Sequence, residues 1–208
     1  MSVYTRTGDI GTSSLYDGNR ISKSSILFNT LGELDELASR IGMLCAIIPN
    51  FESFEDHPRK ELLKFLRDVQ STIQDINSII ATTDTEGRTL PEIIPQDVKK
   101  IEEWIDFMDT YNPKLTRFIL PGVRREDSQA QLCRTQTRRV ERYLWKLNDD
   151  YGVIKVYDRE SSNKTIDLGT IKLSENITTY MNRLSDFFFV LSRYLCTVQK
   201  IEDCFYNK

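Results

Sequence analysis

One histidine in 208 residues, His57, leaves this chain without the usual general base of a hydrolytic triad and without a histidine-based metal site. That histidine precedes Pro58 in a polar stretch, which reads as the entry to a helix. The four cysteines (Cys45, Cys133, Cys196, Cys204) are far apart and never approach CxxC spacing. Three of them fall among apolar neighbours on helical patterns, which predicts buried thiols in place of bridges or a zinc cluster. Long apolar runs are missing too: none reaches the roughly 20 residues of a membrane span. No apolar leader and no Arg- and Ser-rich transit segment precedes "YTRTGD", so the expectation is an intracellular protein. Excess positive charge is also absent, for the net charge is −3, and this argues against a general nucleic-acid binder. A P-loop is lacking as well, because Gly11 is followed by Thr12 and the next lysine is Lys23.

What is present is helical period. Five stretches repeat apolar residues at 3.6-residue spacing. The first spans about Ile26 to Ile48, carries Leu27, Leu31, Leu34, Ala38, Ile41 and Cys45, and is stopped by Pro49. The second begins near Pro58 and continues through Leu62, Leu66, Val69, Ile73, Ile76 and Ile80. A third covers roughly Gln96 to Tyr111. The fourth follows "LPG", takes Asp127 or Ser128 as N-cap, and places Leu132, Val140, Leu144 and Leu147 on its apolar side. The fifth runs from about Glu175 to Asp203. Between the last two, "VIKVYD" and "TIDLGTIKL" alternate like strands and predict a small hairpin or another ordered excursion. The expected fold is all-α: a five-helix bundle in one domain, residues 1–208, with an N-terminal loop over 1–25 and an insertion over 151–176.

Several clusters could carry chemistry. In "TGDIGTSS", Gly8 and Gly11 allow close backbone approach and expose N–H groups to an anion. Thr5, Thr7, Thr12, Ser13 and Ser14 add hydroxyls, and Arg6 and Lys23 add positive charge. Asp9 fits less well, because a carboxylate repels phosphate unless it caps amides or a metal intervenes. The residues alone leave open a nucleotide loop or an ordinary flexible terminus. In "CRTQTRRVERYLW", Arg134, Arg138 and Arg142 share one helix face, with Arg139 and Glu141 beside them. Such a row is either a solvated stripe or a set of guanidinium forks for phosphate oxygens. Asp35, among apolar positions in "LGELDELASRIG", is either exposed or paired with a cation such as Arg134. "RFILPG" reads as a buried connector ending in a turn, and Asn182 in "MNRLSDFFFVLSRYL" is an amide beside core aromatics.

Taken in order, these pieces resemble the PduO-type ATP:cob(I)alamin adenosyltransferases. "YTRTGDIGTSSL" resembles the family's ATP loop, and Lys23 falls where the family has a basic residue. "LDELASRIG", "FILPG", "CRTQTRRVERYL" and "MNRLSDFFFVLSRYL" match its later elements. The resemblance spans nearly the whole chain, and the ordered set is more specific than any one motif. It implies a homotrimer of five-helix bundles with ATP bound between neighbouring subunits. It further implies transfer of the 5′-deoxyadenosyl group of ATP to cob(I)alamin, with release of triphosphate. Carried over, Thr5, Arg6, Thr7, Gly8, Asp9, Gly11, Ser13, Ser14 and Lys23 would contact ATP, as would Arg138, Arg139, Glu141, Arg142 and Asn182. Arg138, Phe118, Asp35 and Arg134 would act in catalysis. Asp35 would pair with Arg134 on the cobalamin side, and Phe118 would crowd the lower face of the corrin. No protein ligands to a metal are assigned; Mg²⁺ would enter through the ATP phosphates. Neither a nucleic acid nor a membrane is expected as partner, whereas a cobalamin-dependent enzyme or a reductase would fit.

The chain departs from the family pattern at three places. "PGVRRED" lacks a second glycine after the proline, "RISKSS" has serines where acids are usual, and the 151–176 link is long. None of these falls on the triphosphate contacts. A non-catalytic ATP- or cobalamin-binding trimer is therefore the competing reading. A helical adaptor using "RTQTRRVER" as a basic face is a third, disfavoured by the acidic balance and by the lack of interleaved aromatics.

Overall fold

The computed structural model describes residues 4–48, 56–149, 153–155, 165–167 and 173–206. Five helices carry the fold: α1 (Ile26–Ile47), α2 (Asp56–Ile80), α3 (Pro95–Asp109), α4 (Arg125–Asp149) and α5 (Glu175–Thr197). Pro49, expected to end α1, lies outside the described residues. Two short antiparallel hairpins are added, β1 (Thr12–Ser14) with β2 (Arg20–Ser22), and β3 (Val153–Lys155) with β4 (Thr165–Asp167). The second is the hairpin that the alternation between α4 and α5 predicts, and its β3 lies against β2. The first adds to what the apolar periods predict.

Helix α4 packs against both α1 and α5, with α2 on α1 and α3 on α5. The apolar stripes meet in one core, where Leu34, Ile41, Leu66, Ile73, Ile101, Val140, Leu184 and Phe188 are wholly inaccessible. Burying each such side chain contributes about 1.5–3 kcal/mol. Phe187 is central, its ring lying 5.2 Å from both Phe65 and Phe188 in edge-on geometry. Leu132, placed on the apolar side of α4 by its period, is instead exposed. The inward face of α4 is formed by Cys133, Val140 and Leu144 with buried polar groups that are satisfied. Gln131 donates to Ser192 Oγ, Gln136 to the Glu33 carbonyl and carboxylate, and Thr137 to the Cys133 carbonyl.

The helix ends follow local chemistry. Ser25 caps α1 by accepting from the Phe28 amide, and Pro95 opens α3 with Asp97 reaching back to the Ile94 amide. At α4 the expected cap is displaced. The helix begins at Arg125, and Asp127 sits inside the first turn, almost fully buried, with its carboxylate accepting from the amides of Gly122, Val123 and Arg124. This turn needs one glycine in the left-handed region, Gly122 at φ +110°. Val123 is not among the positive-φ residues, so the missing second glycine costs the turn nothing.

Helix α5 stops at Thr197, six residues before the sequence period would end it. Lys200 takes φ +56° and turns the chain back. Residues 204–206 then run antiparallel to residues 118–120: Leu120 N–H donates to the Cys204 carbonyl at 2.7 Å and Tyr206 N–H to the Phe118 carbonyl at 2.8 Å. Cys45, Cys133 and Cys196 are buried free thiols, as their positions predict, whereas Cys204 is exposed. No described helix is long and apolar enough to cross a membrane.

Candidate functional site

Residues 4–11 form a largely exposed loop that leads into the β1–β2 hairpin, where Thr12, Leu15 and Ile21 are buried. Its backbone closes on itself through Asp9 N–H to the Arg6 carbonyl, Gly11 N–H to the Gly8 carbonyl and Lys23 N–H to the Gly11 carbonyl. Arg6 holds φ +59°, a strained value for a non-glycine residue, of the kind that collects at ligand clamps. Thr5 and Thr7 share a hydroxyl hydrogen bond of 2.9 Å. A Cβ on Gly8 would lie 3.1 Å from Lys23 Nζ, so the lysine ammonium reaches the loop where the glycine leaves room.

Two residues outside the predicted site hold this loop in shape. Arg20 donates to the Thr7 and Thr12 carbonyls and to the Thr12 and Ser14 hydroxyls, at 2.7–3.1 Å. Asp17, in the β1–β2 turn, accepts from the Thr83 hydroxyl and from the amides of Asn19, Thr83 and Asp84. The hairpin is thereby fastened to the segment just after α2. Burial pushes the Asp17 carboxyl up, but these hydrogen bonds outweigh it, and its pKa falls below the ordinary value.

The second cluster lies on α4. Arg138, Arg139 and Arg142 are exposed, and Arg134 is half-buried. Arg139 stands 3.6 Å from Glu33, and Arg142 donates to the Arg138 carbonyl. Arg138 has no carboxylate partner among the described residues. Burial lowers the Arg134 pKa, and the positive charge of Arg138 lowers it further. Asn182 on α5 donates to Glu141 at 3.1 Å, so these two predicted residues meet next to Arg142 and about one turn from Arg138.

The structure does not bring every predicted residue together. Among the described residues, none of Thr5, Arg6, Thr7, Gly8, Ser13, Ser14 and Lys23 hydrogen-bonds to an α4 arginine. Asp35 and Arg134 do not pair within the chain either: Asp35 accepts from Asn77 Nδ2 at 3.1 Å, and Arg134 Nε donates to Gln131 Oε1 at 2.6 Å. The "RFILPG" connector is not buried. Phe118 is 86% exposed, and Leu120 on the same side of the strand is also open.

The order and placement of these clusters can be compared with known proteins. The cobalamin adenosyltransferase family model matches residues 3–195. The chain belongs to the cobalamin adenosyltransferase family. Within that family it is 34% identical over 194 residues to the cobalamin adenosyltransferase of Cupriavidus metallidurans, covering 93% of this chain and 87% of that protein. It is 30% identical over 210 residues to the corrinoid adenosyltransferase MMAB of Bos taurus, covering 99% and 76%. Among solved structures it is similar to a phenylalanine-to-histidine variant of the PduO-type ATP:corrinoid adenosyltransferase from Lactobacillus reuteri, complexed with cobalamin and ATP. The TM-score is 0.80 at 25% identity, covering 100% of this chain and 97% of that one. The five-helix architecture is therefore that of the PduO-type adenosyltransferases.

Proposed function

We propose that this protein transfers the 5′-deoxyadenosyl group of ATP to cob(I)alamin, giving adenosylcobalamin and triphosphate. The observation that carries the reading is Arg138: an exposed guanidinium with no carboxylate among the described residues, on a helix face that also bears Arg134 and Arg142. Family membership supports it, as does the likeness to a structure complexed with cobalamin and ATP.

The reaction is a displacement at C5′. The electron pair of Co(I) forms the Co–C5′ bond while the C5′–O5′ bond breaks, and the triphosphate departs with the electron pair of that broken C–O bond. Co(I) is a strong nucleophile, so no general base is needed, and a chain with one histidine loses nothing by it. The protein has to align cobalt, C5′ and the leaving oxygen, and to stabilise charge growing on the triphosphate. Arg138, Arg142 and Lys23 supply cationic donors, the loop around Gly8 and Gly11 supplies amides, and Arg6, Thr5, Thr7, Ser13 and Ser14 complete the cradle. Glu141 and Asn182 face the nucleoside end, with Arg139 held between Glu33 and the ligand. Mg²⁺ would arrive on the phosphates and neutralise part of their charge; Asp9 is the loop carboxylate that such a cation makes tolerable.

The loop and the α4 arginines share no hydrogen bond among the described residues, and a homotrimer with ATP between the loop of one subunit and α4 of the next reconciles the two. Asp35 and Arg134 would pair across the same boundary. Phe118, exposed and apolar, would wall the lower face of the corrin, favouring loss of the lower ligand and so easier reduction of Co(II). The test is an anaerobic assay of purified protein with Mg-ATP and chemically reduced cob(I)alamin. Loss of the Co(I) absorbance with formation of light-sensitive product supports the reading. Tight ATP binding without turnover would overturn it in favour of a binding protein.

A further inference from the structure

The side chain of Phe118 is 86% exposed and so receives almost no packing from its own chain. What orients it is backbone. The hydrogen bonds flanking it both go to the carboxy-terminal segment: Phe118 C=O accepts from Tyr206 N–H, and Leu120 N–H donates to Cys204 C=O, with Ile119 opposite Phe205. The Arg117 guanidinium lies over the Phe205 ring at 5.0 Å, adding a side-chain contact to the same ribbon.

In a two-stranded ribbon a slip of one residue turns every side chain to the other face. Phe118 and Leu120 point outward only while residues 204–206 keep their present register. That register is fixed from inside the bundle. Arg193 on α5 is 5% exposed, and its guanidinium bridges two chain segments. It donates to the Asp203 carboxylate at 2.9 Å and to the Pro113 carbonyl at 2.6 Å. The tail and the 110–122 connector are thus tied to one buried cation. The connector is tied again through Asn112, which donates to the Val190 carbonyl and accepts from the Thr197 hydroxyl. The tail segment lies beyond the residues matched by the family model, which end at 195.

We infer that the tail Ile201–Tyr206, registered by the buried Arg193–Asp203 pair, positions Phe118 for the corrinoid, which makes Arg193 and Asp203 positioning residues acting through Phe118. The inference rests on the corrinoid reading proposed above. It assigns the tail to one substrate only, since among the described residues the ATP loop and the α4 arginines make no hydrogen bond to it.

Arg193 is too deeply buried for its removal to be informative alone, so the test uses Tyr206→Pro, which deletes the donor to Phe118, and Asp203→Asn, which removes the negative charge of the pair but keeps the side-chain shape and one acceptor oxygen. Three quantities are read on the full-length protein: amide exchange at Leu120, the dissociation constant for ATP, and the electronic spectrum of added cob(II)alamin with ATP present. Loss of the lower ligand gives four-coordinate Co(II) a spectrum of its own. In both variants Leu120 exchange rises about tenfold, and ATP affinity stays close to that of wild type, because the tail makes no hydrogen bond to the ATP loop or the α4 arginines among the described residues. The four-coordinate fraction falls to that of Phe118→Ala. Adding Tyr206→Pro to Phe118→Ala lowers it no further, because the two act at one point. A four-coordinate fraction unchanged in both variants, unchanged Leu120 exchange, or equal weakening of ATP would each overturn the positioning role. A wild-type protein that leaves the cob(II)alamin spectrum unaltered overturns the corrinoid reading itself, and with it the inference.

Discussion

Arg138 has no acid to answer it among the described residues, and it adds to the burial that already lowers the pKa of Arg134, one turn away on α4. Both conditions improve when a polyphosphate arrives, and a donor aimed at the leaving oxygen matters most as charge accumulates there. Arg138→Ala is therefore expected to lower kcat/KM by on the order of a hundredfold or more, measured under anaerobic turnover. Retention within a few-fold would remove Arg138 from the mechanism. Arg138→Lys keeps the charge and loses the fork, so it should recover part of the rate and not all of it. The i, i+4, i+8 spacing of Arg134, Arg138 and Arg142 makes this row legible in the sequence alone. Arg193 is not legible in the same way. An arginine inside "VLSRYLC" reads as a solvated interruption, and its burial depends on Asp203, in a segment whose apolar period imitates a continuing helix.

At the scale of elements, the β1–β2 hairpin converts a glycine-rich terminus into a shaped loop. Its turn, "YDGN", carries an Asp-Gly signal that predicts a hairpin on local grounds, a signal overshadowed by the glycines of the neighbouring "TGDIGTSS" loop. What local sequence could not give is the anchor, since the distant donors to Asp17 are Thr83 and Asp84, in the segment that follows α2. Asp17→Ala leaves those donors unmet and should cost about 1–3 kcal/mol of stability, with KM for ATP raised more than kcat is lowered. The pH dependence has a definite sign. A carboxyl whose folded pKa lies below its unfolded value stabilises fully above about pH 4, and loses that contribution as pH falls through the folded value. Chemical denaturation of wild type and Asp17→Asn should therefore converge below that range and diverge above it; a constant gap would refute the anchor. The thiols report on the tail in the same spirit. Burial pushes Cys133 and Cys196 up to about 12 and raises Cys45, while Cys204 is exposed. One fast thiol per chain toward a disulfide reagent, with three released on unfolding, is the expected count.

The whole molecule poses the question that a single chain cannot close. Five apolar stripes of the right length are enough to give a bundle, because each helix must hide one face against the others. The same stripes say nothing of where the loop meets the arginines, since no such hydrogen bond exists among the described residues of one chain. Met43 and Leu132 are exposed apolar side chains beside an open cleft of about 670 Å³ between α1 and the start of α4. Surface of that kind is what a neighbouring subunit would cover. If ATP lies between the loop of one chain and α4 of the next, then Lys23→Ala and Arg138→Ala damage opposite halves of each site. Either variant alone should be nearly inactive. Refolded together in equal amounts, they generate interfaces in which an intact loop faces an intact helix, and random assembly of a cyclic trimer makes that about one site in four. Recovery of about a quarter of wild-type activity from two inactive proteins is the expected result. A site built within one chain offers no such rescue, so a mixture as inactive as its parts would place loop and arginines in the same subunit.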